Sequence, residues 1–148
     1  MVWKPDVTVA AVVARDGRFL LVEERIRGRL VFNQPAGHLE DGETLIDAVM
    51  REALEETACS FTPQSLLGVY QWRSPRGRST LRFAFVGALG RQHPERALDP
   101  PIIATHWLSR EEVLAPSRAL RSPLVLRCID DYLRGVRLPL EALASVAR

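Results

Sequence analysis

The chain has 148 residues, 47% of them hydrophobic and 26% charged, with a formal net charge of +2. That size and balance fit a single globular domain, residues 1–148, and exclude a disordered or collagen-like chain. No apolar stretch approaches the ~20 residues of a membrane span. No dense basic run argues for nucleic acid. The expected partner is a small molecule, and the chain is expected to be a monomer or homodimer.

Lys4, Pro5 and Asp6 interrupt any signal peptide at once. Cys59 and Cys128 lack metal-ligand spacing and suit small buried residues in a reducing compartment. A cytoplasmic location is the expectation. Val7–Val13 is β-branched and almost continuous, which predicts a strand buried on both faces. Asp16-Gly17 is a turn, and Arg18–Val22 is a second strand able to form a hairpin with the first. Glu23–Arg29 reads as a charged loop. Its Arg25, Arg27 and Arg29 are either solvated or reach a substrate phosphate.

Leu30–Phe32 is a short strand, and Asn33-Gln34-Pro35-Ala36 leads into a glycine-bearing loop. A helix is predicted from Leu45 to Thr57. Thr44, with Asp47 three residues on, makes a capping-box-like start. Phe61-Thr62-Pro63 is expected to break the chain away from that helix. Leu66–Trp72 and Thr80–Leu89 are strands around the turn Ser74-Pro75-Arg76-Gly77. Gly90–Pro101 is a polar loop carrying Glu95 and Asp99, and Ile102–Trp107 is a last short strand. Ser109 with Glu112 is a capping box for a short helix ending at Leu114. Ser122-Pro123 opens a final helix to about Leu133, with Gly135 after its end. Strands interleaved with helices predict an α/β fold with a mixed sheet covered by helices.

The helix from Leu45 carries the chemistry. At about 100° per residue, Leu45, Ile46, Val49, Met50 and Ala53 fill an apolar arc of roughly 0° to 140°. On the same wheel Glu55, Glu52 and Glu56 fall at roughly 280°, 340° and 20°. Three carboxylates therefore share one stripe, with Glu56 at the edge of the buried face. Like charges at that spacing repel by about 0.2–0.5 kcal/mol per pair. Such a stripe is either a solvated acidic face or a site for a hard divalent cation, whose shell substrate phosphates would complete.

Gly37, five residues, Glu43, seven residues, Arg51-Glu52, two residues and Glu55-Glu56 resemble the Nudix signature. At residue frequencies of roughly one in fifteen, six identities in register have a chance on the order of 10⁻⁷ per start position. Pro35, Glu40 and Gly42 also fit the extended loop. Ala53 and Ala58 depart from it. Alanine replaces the glycine after the helix, so the helix end is expected to be reshaped. Shorter words, among them Asn33–Glu40, Gln71-Trp72, Leu81-Arg82-Phe83 and Arg121–Val125, resemble the NudJ-type phosphatase group of that family.

The resemblance implies a Nudix α/β/α sandwich that hydrolyses diphosphate linkages with Mg²⁺, or Mn²⁺ in its place. Nucleoside di- or triphosphates and hydroxymethylpyrimidine-type diphosphates are the implied substrates. Glu52, Glu55, Glu56 and the Gly37 carbonyl would be metal ligands, and Arg51, paired with Glu43, would orient them. Glu52 is the first candidate for general base, with Glu95 or Asp99 as alternatives from the loop. Trp72 is the candidate for stacking on a base, ahead of Phe32 and Trp107, each of which is otherwise a core residue. His38 either touches phosphate or is an exposed loop residue, and Gln34 could line the pocket. Arg82, charged within an apolar strand, either pairs with a helix glutamate or binds phosphate. Two other readings stand beside this one. The chain could act on a dinucleoside polyphosphate or nucleotide sugar, or be a non-catalytic module that reads a nucleotide or RNA.

Overall fold

The computed structural model describes residues 1–146. The expected domain, 1–148, extends two residues beyond them. The strands are β1 (Asp6–Val12), β2 (Ala14–Arg15), β3 (Arg18–Ile26), β4 (Arg29–Asn33), β5 (Ala36–His38), β6 (Cys59–Arg73), β7 (Ser79–Gln92) and β8 (Ile102–Leu108). The helices are α1 (Leu45–Thr57), α2 (Arg110–Val113) and α3 (Leu124–Leu133), followed by a 3₁₀ turn at Leu140–Ala142. They build two four-stranded sheets. One has the order β5-β1-β7-β6 and is mixed, because β1 and β7 run parallel. The other joins β2, β3 and β4, with β8 on the free side of β3.

β1 explains the layering. Val9, Ala11 and Val13 face α1, where they pack with Ala48, Val49, Ala53, Phe61 and Phe85. Ala10 and Val12 face the other way, onto Leu21, Ala84, Val125 and Ile129, beneath α3. Alternate residues of one strand thus enter two cores, which requires an apolar residue at nearly every position. Burying each Val or Phe contributes about 1.5–3 kcal/mol. The α/β/α sandwich expected from the sequence is present.

Several boundaries differ from expectation. β1 and β3 do not form a hairpin; they lie in different sheets, and the chain crosses between them at Val13. Ala14–Arg15 folds back on Arg18–Phe19, and the Leu20 N–H donates to the Val13 carbonyl at 3.0 Å. Glu23–Arg29 is not a loop. β3 runs on to Ile26, and a tight Arg27-Gly28 turn, both at positive φ, leads into β4. Arg25 bonds through its backbone N–H to the Pro101 carbonyl. Phe61-Thr62-Pro63 lies inside β6, whose ladder tolerates Pro63 on a sheet edge through register shifts.

What ends α1 is Ala58 itself. It adopts the left-handed conformation (φ 59°, ψ 20°), and its N–H reaches the Leu54 carbonyl. The helix end therefore keeps the geometry a glycine would give and is not reshaped. The buried face of α1 is also rotated from the expected arc. Met50 is exposed, while Ala48 and Glu56 are buried. At its start, Thr44 accepts from the Asp47 N–H at 3.0 Å, a cap worth about 1 kcal/mol. Ser109 and Glu112 form the full capping box. Pro123 sits at the cap position of α3, one residue before its first turn, and Gly135 follows the end at positive φ.

Candidate active site

α1 and β5 meet at Gly37. A Cβ built on Gly37 would lie 2.1 Å from the carboxyl carbon of Glu52. Only glycine lets the Glu52 carboxylate lie against the strand. On the same helix Glu56 is 8% exposed, and its Oε1 accepts the Ala36 N–H at 2.9 Å. Glu55 is half-buried beside them. The start of the signature loop is thereby held against the helix by two of its glutamates.

Arg51 is the counter-charge. Its Nε and Nη2 donate to the two oxygens of Glu43 at 3.0 and 2.7 Å, and Nη2 also donates to the His38 carbonyl at 3.0 Å. Nη1 donates to Glu52 at 2.9 Å and approaches Glu55 at 3.3 Å and Glu40 at 3.6 Å. Glu40 is mostly exposed, and its backbone N–H donates to Glu43 at 2.8 Å. One guanidinium thus serves four carboxylates, and among the described residues Glu56 has no cation of its own.

The charge states follow from those contacts. Hydrogen bonding to Arg51 holds the Glu43 carboxyl below its usual range. Burial pushes Glu52 up, against the opposing pull of Arg51. Burial pushes Glu56 to about 8, with the neighbouring carboxylates adding to the rise. Among the described residues no three Asp, Glu, His or Cys side chains converge on one point as metal ligands do. Arg51 Nη1 stands between Glu52 and Glu55 instead. The donors nevertheless suit a hard divalent cation. The carboxylate oxygens outnumber the positive charge, and among the described residues Glu56 is buried without a cation.

A cleft of about 390 Å³ begins at this cluster. Ala36, Gly37 and His38 form the near wall, and Thr8, Trp72 and Arg82 line the first sheet. Glu24 and Asn33 come from the second sheet, and Arg121 and Ser122 from the segment before α3. Asp6 and Arg78, an ion pair, also line it, with Asp6 4.0 Å from His38. Trp72 and His38 therefore both line the cleft.

Arg82 also lines the cleft, but it pairs with no helix glutamate. It is 4% exposed and donates to Gln34 Oε1 at 2.9 Å and Asn33 Oδ1 at 3.0 Å. Gln34 stands behind the wall rather than on it, bridging Arg82 to the Val125 carbonyl at 2.9 Å. Phe32 packs against His106 and Arg118, and Trp107 lies under Arg15, both away from the cleft. Glu95 is exposed and faces His93 at 3.5 Å. The backbone N–H of Asp99 bonds the Glu55 carbonyl at 3.0 Å, so this loop is stapled to the end of α1. Arg25, Arg27 and Arg29 do not line the cleft. Sequence reasoning missed Glu24, Thr8, Arg78 and Arg121.

A helix carrying a glutamate stripe, anchored to a glycine strand within an α/β/α sandwich, defines a Nudix site. The chain belongs to the Nudix family: residues 4–128 match the NUDIX domain. It is 46% identical over 143 residues to the phosphatase NudJ of Escherichia coli K12, covering 97% of this chain and 93% of that protein. A solved NUDIX hydrolase from Nitrosomonas europaea is 48% identical, with a TM-score of 0.93 over 97% of this chain and 98% of that one. A MutT NUDIX hydrolase from Burkholderia pseudomallei, 22% identical, superposes with a TM-score of 0.73 over 87% of this chain and 98% of its own. That last likeness bears on the fold alone. The chain is accordingly a Nudix hydrolase, in a family that generally uses a divalent metal and acts on small phosphorylated substrates. Among the described residues no helix is long and apolar enough to cross a membrane.

Proposed function

We propose that this hydrolase cleaves the diphosphate linkage of nucleoside di- or triphosphates, or of hydroxymethylpyrimidine-type diphosphates, with Mg²⁺ as its metal and Mn²⁺ as a substitute. The observation that carries the proposal is the continuity at Gly37. That residue touches Glu52 on one side and lines an arginine-bearing, tryptophan-bearing cleft on the other. A substrate with phosphate at one end and a flat ring at the other matches that sequence of surfaces.

Glu52, Glu55 and Glu56, with the Gly37 carbonyl, would hold the cation. When bound, it supplies charge neutralisation at the phosphoryl oxygens and lowers the pKa of a coordinated water. Arg51 is a positioning residue; its fork on Glu43 fixes the guanidinium that orients Glu52 and Glu55. Glu52 is the general base of this reading. Its carboxyl, raised by burial, is a better proton acceptor than an ordinary glutamate. Asp99, stapled beside Glu55, is the loop acid that would replace it. Arg78 and Arg121 give the cleft positive charge that draws in an anionic substrate. The Trp72 ring offers a stacking face.

The test is a panel of nucleoside di- and triphosphates, pyrimidine diphosphates, dinucleoside polyphosphates and nucleotide sugars, with every product identified. Cleavage between phosphates of the first two classes, lost in EDTA and restored by Mg²⁺, is the expected result. Turnover confined to dinucleoside polyphosphates or nucleotide sugars would overturn the substrate assignment.

A further inference from the structure

Buried polar atoms without partners are uncommon in folded proteins, and each one asks for an explanation. Among the described residues they are Thr8 Oγ1, Glu24 Oε2, Arg82 Nε and Asp131 Oδ1. Asp131 Oδ1 is answered by the Arg134 guanidinium at 2.6 Å. The other three all line the cleft. Thr8 and Arg82 are direct neighbours in the parallel pairing of β1 with β7. Glu24 comes from β3, in the opposite sheet.

The three atoms differ in kind. Arg82 Nε–H is a donor only. Its guanidinium is locked, because Nη1 and Nη2 are spent on Gln34 and Asn33. Thr8 Oγ1 can donate or accept. Glu24 Oε2 accepts, and only 8% of that side chain is exposed. Arg121 Nη1 stands 3.6 Å from Oε2, near enough to favour the charge and too far to satisfy the lone pairs. A group that completes this set brings an N–H to Glu24 and an acceptor to Arg82.

Resting on the hydrolase reading above, we infer that Glu24 determines ring specificity: its free carboxylate oxygen accepts from an exocyclic amino group, so the cleft selects aminopyrimidine or aminopurine rings. An amino-bearing ring carries a donor beside a ring-nitrogen acceptor, and the matching keto ring reverses both. A keto oxygen placed at Glu24 would set lone pair against lone pair, and the adjacent N–H would face Arg82. Phosphate is unsuited to this end for the same reason, since it too has only acceptors at Glu24. The Arg121 and Arg82 guanidiniums favour the charged form of the Glu24 carboxyl, while Glu24 and Glu56 repel, so the Mn²⁺ titration below separates a ring contact from a metal ligand. Sites built to hydrogen-bond a substrate reject the analogue that leaves their buried groups unpaired.

The experiment is calorimetric titration of the protein in EDTA with cytidine against uridine monophosphate, and adenosine against inosine monophosphate. Mn²⁺ titrations and thermal melts run alongside. The wild type should bind the amino member of at least one pair about 10- to 100-fold more tightly. Glu24→Gln presents an amide that can donate, so it should erase or reverse that preference while Mn²⁺ binding is retained. If Glu24→Gln fails to fold, Glu24→Asp serves, since the retreat of the carboxylate should cut the preference without inverting it.

Equal binding of both members of each pair by the wild type overturns the inference. So does loss of Mn²⁺ binding in Glu24→Gln, which would make Glu24 a metal ligand instead. The hydrolase reading fails separately, when the wild type cleaves no diphosphate with Mg²⁺ present.

Discussion

Arg51 grips Glu43 from eight residues away, with Nε and Nη2 each donating to one carboxylate oxygen at 3.0 and 2.7 Å. This fork ties the helix to the loop before it. The same guanidinium carries Glu52 and Glu55 on its remaining nitrogen.

Arg51→Ala should therefore lose both order and activity. Partly buried, charge-assisted bonds of this kind contribute about 1.5–3 kcal/mol. The variant should melt several degrees lower in EDTA and lose ~10²-fold or more in kcat. Arg51→Lys keeps the charge but lacks the fork, so it should recover part of the stability and little of the rate. Steady-state kinetics beside thermal melts check both. An Arg51→Ala variant with normal turnover would remove Arg51 from the positioning role.

Glu56 makes the metal-free protein pH-sensitive. Its carboxyl stands near 8 in the fold, against 4.5 for an ordinary glutamate. Between those values the folded chain holds a proton that the unfolded chain has released. That stabilisation is complete below the unfolded value and is lost as pH rises through the folded one. Burial shifts Glu24 and Glu52 in the same direction. The melting temperature in EDTA should fall between about pH 5 and 9. Cation affinity should rise over the same range, because binding must expel the proton. Glu56→Gln should flatten the melting profile. A wild-type protein that grows more stable in EDTA across that interval would contradict the assignment.

The span of α1 and its glutamate spacing were legible in the sequence, because one helix and one loop sufficed, while its exact buried face and its C-terminal cap were not. Periodicity set Glu52, Glu55 and Glu56 on one stripe, and resemblance gave the Glu43–Arg51 pair. The cleft was only half legible, because its walls come from both sheets. Trp72 and Arg82 stood out as an aromatic and a charge within strand-like runs. Glu24 did not, because the apolar run of the second strand stops at Val22. Continued by two residues, alternation puts Glu24 in phase with buried Leu20 and Val22, and a buried carboxylate becomes visible. Thr8 looks like any β-branched strand residue. Arg121 reaches the cleft by a chain crossing that no local pattern encodes. The hairpin expected for β1 and β3 failed for a related reason. Their hydrophobic patterns suit neighbours in one sheet equally well, and the crossing at Val13 depends on tertiary packing.

Ala58 offers a test of how much the departure from the signature matters. A left-handed alanine costs about 1 kcal/mol relative to glycine. Its methyl is buried, and removing a buried methyl costs about 0.8 kcal/mol. The two nearly offset, so Ala58→Gly should shift the melting temperature by only a few degrees, about 2–4 °C per kcal/mol. The metal requirement and kcat should not change. A rise in activity by orders of magnitude would mean that alanine at this position impairs the enzyme.

Gly37→Ala and Glu52→Gln attack one contact from opposite sides. The added methyl would meet the Glu52 carboxylate 2.1 Å away and must push it off the strand. That carboxylate is the far end of a flexible side chain, so the fold should survive with a loss of about 1 kcal/mol or less. Glu52→Gln leaves the shape and removes the charge. It relieves repulsion from Glu55, so stability in EDTA should hold or rise slightly. Each change alone should lower kcat by about 10²-fold or more, near 2.7 kcal/mol of transition-state stabilisation. If both act through the position and charge of one carboxylate, the double variant should be little worse than either single one. Kinetics of the four proteins, with melts in EDTA, decide it. Fully additive losses would show that Gly37 acts apart from Glu52. Single variants that melt far lower yet turn over normally would make the contact structural.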